Sequence, residues 1–82
     1  MFLDVNERVE MLVVFKLDRV VPMEMKWNKN TYHIQNINMV HQVMDGDTRV
    51  YIYSISDSVN SFKVAFNTKS LHWMLEQVYY ES

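Results

Sequence analysis

"PMEMKWNKNTYHI", residues 22–34, alternates twice around a turn. Met23, Met25 and Trp27 are separated by Glu24 and Lys26, and Tyr32 and Ile34 resume the alternation after "NKN". A period of two is the signature of a strand with one apolar face. Asparagine tolerates the left-handed backbone that a tight hairpin needs, so 28–30 reads as a turn. A tryptophan beside a histidine and charged residues could also mark a binding site. Here His33 points away from Tyr32 and Ile34, alone, and the stretch reads as a hairpin with an apolar face.

The same period extends in both directions. Upstream, Val9, Met11, Val13, Phe15 and Leu17 occupy odd positions, while the even positions mix Glu10 and Lys16 with Leu12 and Val14. The centre of this strand is expected to be buried on both faces. Between it and the hairpin, Pro22 cannot donate to a ladder and holds Val21 extended. Downstream, a long strand runs from Thr31 to about Met44 and changes phase: Tyr32 and Ile34 are even, but Ile37, Met39 and Val43 are odd. A bulge near Gln35–Asn36 would make this switch and bend the strand from one layer of a small barrel to another.

Asp45–Gly46, in "MDGDT", is the strongest hairpin signal in the chain and holds its only glycine. "RVYIYSISD" (49–57) and "SFKVAF" (61–66) follow as strands. The first sets Tyr51, Tyr53 and Ile55 against Val50 and Ile52; the second sets Phe62, Val64 and Phe66 against Lys63. "LHWMLEQVYY" (71–80) fits a strand with Trp73 and Leu75 on one face. It also fits a short helix with Ser70 as N-cap and a stripe of Leu71, Met74, Leu75, Val78 and Tyr79. Tryptophan, tyrosine and valine favour the strand. The expected fold is all-β, one domain over residues 1–82. It is an antiparallel meander of five to six strands in a small SH3-like barrel or roll, with a short C-terminal helix as the alternative ending.

Composition sets bounds on function. With 82 residues and no cysteine, the chain has neither disulfides nor thiolate zinc ligands. A domain this small buries only about 60–65% of the surface its unfolded chain exposes, so its apolar core must hold it together or be shared with a second subunit. Eight basic and ten acidic residues give a net charge of −2, which is not the footprint of a strong nucleic-acid binder. Asp4, Glu7 and Glu10 do not suit a secretory or transit signal, and no run reaches the ~18 apolar residues of a membrane span. A cytoplasmic location is expected.

The placed strands carry a resemblance. "VVFKLDRVVPMEMKW", then "YHI", a hairpin and the terminal "LHWMLEQVYY" resemble a family of short bacterial proteins. Its pattern is an extended apolar run, a turn, proline, a strand ending in tryptophan, a turn, Tyr-x-Ile and a late Trp-x-Leu-Glu. Pro22, Trp27, Tyr32, Ile34, Trp73, Leu75 and Glu76 stand at those places, and the resemblance covers about residues 9 to 80. The first turn departs from the pattern: the family tends to carry a glycine where this chain has "LDR". The resemblance implies a fold and no function, because the family has no established biochemical activity.

No constellation points to catalysis. His33, His41 and His72 lack metal-ligand spacing, Asp45 and Asp47 are explained by turn chemistry, and the serines sit in no nucleophile motif. No enzyme activity, cofactor, metal or small-molecule substrate is expected. Binding is. Two strands look apolar on both faces, and one small sheet cannot cover both, so the surplus should meet protein, with a homodimer as one form. The candidate contacts are Leu12, Val14, Tyr51, Tyr53 and Tyr79. The alternative is a single-stranded nucleic-acid binder in which Tyr51 and Tyr53 stack bases and Arg49 and Lys63 meet phosphates.

Overall fold

The computed structural model describes residues 1–80. Its strands are β1 (Phe2–Phe15), β2 (Val20–Trp27), β3 (Asn30–His33), β4 (Asn36–Asp45), β5 (Thr48–Ser56), β6 (Asn60–Asn67) and β7 (Trp73–Tyr80). They form one antiparallel sheet in the order β3-β2-β1-β7-β6-β5-β4. No described residue is helical.

The sheet folds over at β1. Residues 2–9 of β1 pair with β7, and residues 10–15 pair with β2. The register slips between Asp4 and Glu7, where Asn6 takes a positive φ of 54°. Such a bulge sharpens the bend of a strand. The fold-over sets β1–β2–β3 against the longer layer of β7, β6, β5 and β4. Between the layers lie Met25 from β2, Tyr53 and Ile55 from β5, Phe62, Val64 and Phe66 from β6, and Trp73, Leu75 and Val78 from β7. Aromatic rings lock this core: Phe66 stacks on Trp73 at 4.8 Å between centroids, and Tyr32 meets Phe62 edge-on at 5.2 Å. Each fully buried aliphatic side chain contributes about 1.5–3 kcal/mol.

β3 and β4 lie at opposite ends of the strand order, yet only Ile34 and Gln35 separate them. In a flat sheet, six strand spacings would hold these edges about 29 Å apart. Three Cα steps span at most about 11 Å. The sheet must therefore roll until its edges meet at this corner. The hydrogen bonds mark the crossing: the Ile34 N–H donates to the Met23 carbonyl of β2 at 2.9 Å, and the Gln35 N–H donates to the Ser56 carbonyl of β5 at 2.9 Å.

Several expectations are corrected here. The all-β antiparallel reading holds, but the strands number seven because the long strand from Thr31 breaks at Ile34–Gln35 into β3 and β4. The sheet is not a closed SH3-like barrel, since no ladder joins its edges. Nor is it a simple meander: β1 pairs with β7, so two meanders join through the first and last strands. The C-terminal segment is strand from Trp73, as its tryptophan, tyrosine and valine favoured, and not the alternative helix, with Leu71 held at a positive φ of 64° just before it. The centre of β1 is covered on one face only; Val9, Met11 and Val13 pack on the core, while Leu12 and Val14 are exposed. Met23 leaves the face of Met25 and Trp27, because the β1–β2 register slips there and pairs Val13 with Pro22.

The 22–34 hairpin closes through Asn28 and Lys29, both at positive φ, 53° and 65°. Positive φ at both central residues is the type I′ turn, whose backbone suits the twist of paired strands. Asparagine accepts this conformation; lysine pays for its Cβ. Lys29→Gly is expected to stabilise the protein by up to about 1 kcal/mol, read as a higher urea midpoint at unchanged slope. An unchanged or lower midpoint contradicts this account of the turn.

Candidate binding surface

β4 is an edge strand with every residue exposed. From Asn36 to Met44 it carries no full charge, no proline and no glycine. Proteins normally guard a long edge with lysine, proline or a bulge, because its free N–H and C=O groups invite another strand. The one irregularity in β4, a register slip between Ile37 and Met39, leaves the outer two-thirds of the strand regular. The other outermost strand, β3, has only four residues.

The turn chemistry fixes which backbone groups of β4 are free. Asp45 pairs with Thr48 across Gly46 and Asp47, and in this loop only Gly46 has positive φ, 63°. That is a two-residue type II′ hairpin, which closes on a hydrogen-bonded pair. Bonded and non-bonded pairs then alternate along the ladder. Val43, His41 and Met39 bond to β5. Met44, Gln42 and Val40 turn their N–H and C=O groups to the open side.

Side chains follow the same alternation. Val40 lies opposite Tyr53 and Gln42 opposite Tyr51, on the core-facing side of the sheet. Beside them runs an apolar groove of about 520 Å³, lined by Val20, Val21, Ile37, Val40, Tyr51 and Tyr53, with Asp18 and Arg19 at its lip. The groove is the open part of the roll, where the β1–β2 turn faces β4 without pairing. Tyr53 bridges it underneath by donating its hydroxyl to the Val20 carbonyl at 2.7 Å. Burial lifts the Tyr53 phenol above its ordinary value near 10, and the nearby Tyr51 adds to the rise.

The candidate protein contacts fall in three places, and the basic residues of the nucleic-acid alternative are placed apart from one another. Leu12 and Val14 are exposed on the outer face of β1, at 61% and 43%. Tyr79 is 54% exposed, opposite Phe2 on the β1–β7 ladder. Tyr51 and Tyr53 line the groove, but Tyr53 is only 3% exposed. Arg49 is exposed near Tyr51 at the β4–β5 hairpin. Lys63 pairs in register with Ser54, hence on the face opposite Tyr53, and its ammonium lies 3.8 Å from Glu76. The structure therefore does not bring Arg49, Tyr51, Tyr53 and Lys63 onto one face.

Sequence reasoning placed the strand of β4, as the far part of a run from Thr31 to about Met44, but did not single it out as a surface. Ile37, Met39 and Val43 registered only as a change of phase, and their exposure follows from the place of β4 at the end of the strand order. The available signal was the absence of charge from Asn36 to Met44. Among the described residues, no group of three or more histidine or acidic side chains is placed to hold a metal. Nor is any helix among them long and apolar enough to cross a membrane. No family model matches the chain, and neither the curated proteins nor the solved structures yield a match. The residues that carry the resemblance sit mostly inward: Leu75 and Trp73 are buried in the core, and Trp27, Tyr32 and Ile34 pack against it.

Tyr53 offers a test of the groove floor. Tyr53→Phe removes one hydrogen bond and leaves the ring, so it is expected to cost about 1 kcal/mol at neutral pH. Because the folded-state phenol titrates above its unfolded value, the wild-type stability tied to it is complete below about pH 10 and is lost as pH rises through the folded value. That alkaline loss should be smaller in Tyr53→Phe. Denaturation midpoints at pH 7 and pH 11 check both; identical curves for the two proteins contradict the bridge.

Proposed function

We propose that this is a small cytoplasmic β-domain that acts by binding protein, with self-association as its form. The observation that supports this reading is β4, a ten-residue edge exposed throughout and uncharged from Asn36 to Met44. Its apolar residues stand on both faces, with Ile37, Val40 and Met44 toward the groove and Met39 and Val43 away from it. A partner strand would satisfy the free backbone groups and cover both sets of side chains, the physics of β-strand addition. Leu12, Val14 and Tyr79 add apolar surface elsewhere, in smaller groups. Single-stranded nucleic-acid binding draws less support, because Tyr53 is buried and Lys63 lies on the other face.

Sedimentation velocity tests the reading. A weight-average mass that climbs from the monomer value of 9.9 kDa toward twice that value between low and high micromolar concentration is the expected result. A constant monomer mass throughout that range contradicts self-association.

A further inference from the structure

The free backbone groups of β4 also define how a partner strand would sit. We infer that β4 pairs antiparallel with β4 of a second copy about a two-fold axis through Gln42. This inference rests on the self-association reading and specifies its geometry.

Three observations select this arrangement. First, only alternate residues offer their backbone outward, so reciprocal bonding must match Val40, Gln42 and Met44 with the same set in the partner. Centring the axis on Gln42 uses all three: Gln42 meets the partner's Gln42, and Val40 and Met44 each meet the other. Moving the centre to His41 leaves Met44 opposite the irregular start of β4, where the register slips between Ile37 and Met39. Second, the side chains are symmetric about the same point. Apolar Val40 and Met44 flank a neutral amide on the groove face, so each apolar residue meets an apolar residue and the two amides meet at the axis. On the other face His41 meets the partner's Val43. Third, charge permits it. No charged residue stands between Asn36 and Met44, so a molecule of net charge −2 presents an uncharged strand to its copy. Asp45 lies at one end of the strand, and the antiparallel pairing sends the two copies of it to opposite ends.

The groove adds the apolar contact that backbone bonding alone lacks. The partner's Met44 arrives beside Val40, at the mouth of the cavity lined by Val20, Val21, Tyr51 and Tyr53. Methionine is unbranched and fills irregular apolar space well. Pairing over residues 40–44 also stays clear of the corner at Ile34–Gln35, where β2 and β5 already take the backbone bonds. An isologous contact of this kind closes on itself and gives a dimer, not a fibre.

Charge exchange at position 42 tests the axis. Gln42→Lys and Gln42→Glu each place like charges against themselves across the two-fold, while the exposed site leaves the monomer fold intact, checked by circular dichroism. Each variant alone is expected to dimerise roughly tenfold or more weakly than wild type. An equimolar mixture should regain a dimer, seen by sedimentation as mass above that of either variant. Dimers that persist in both single variants place the contact on another face and overturn this inference while leaving self-association standing. Variants that weaken but do not recover on mixing overturn the register centred on Gln42. A wild type that stays monomeric overturns both this inference and the reading on which it rests.

Discussion

Two residues, Ile34 and Gln35, determine the shape of this protein. They join strands from opposite ends of a seven-stranded order, over a distance a flat sheet exceeds more than twofold. Rolling is the way to satisfy both the ladder and the chain. The roll then needs a partner layer for its concave face, and the bend in β1 supplies it, bringing Met25 over Ile55, Val64 and Leu75. The core is thus a consequence of connectivity as well as of hydrophobic pattern. Each buried aliphatic there adds only about 1.5–3 kcal/mol against a large entropy cost, so a single small core leaves little surplus.

The same constraint leaves something undone. The edges touch at the corner but are not joined by hydrogen bonds beyond it. On one side of the opening is the β1–β2 turn; on the other is β4, with Val40, Gln42 and Met44 turned outward. Tyr53 stitches the floor through Val20 and holds the groove at its present width. A closed barrel would have had no such edge. The candidate surface is therefore the remainder of an incomplete closure, and its lack of charge makes it suited to another strand.

Much of this was legible in the sequence, for definite physical reasons. The 22–34 hairpin, the Asp45–Gly46 turn and the inward faces of β5 and β6 follow from period two and turn chemistry, which are local. The switch of phase after Ile34 marked the right place but was read as a bulge within one bent strand, whereas the chain breaks there into β3 and β4. What was not legible depends on strand order or on register between strands. Met23 alternates properly within its own strand, yet a slip opposite Leu12 and Val13 turns it out. The start of β1 at Phe2 was hidden because Phe2 and Leu3 are adjacent and Asn6 interrupts the alternation. The two-sided apolar character of β1 marked exposed Leu12 and Val14, not a second buried face. For the candidate surface, Tyr51 and Tyr53 pointed to the groove, but the strand beside them was not singled out, because its place at the edge depends on strand order.

The central claim is that β4 carries a free, correctly phased edge which a second copy covers. Amide hydrogen exchange, resolved by residue, reads this directly. At low protein concentration, His41 and Val43 should exchange slowly, because their N–H groups bond to β5, while Val40, Gln42 and Met44 should exchange fast. At high concentration Val40, Gln42 and Met44 should become protected, with His41 and Val43 little changed. Exchange that shows no alternation along β4, or that does not respond to concentration at Val40, Gln42 and Met44, contradicts the account.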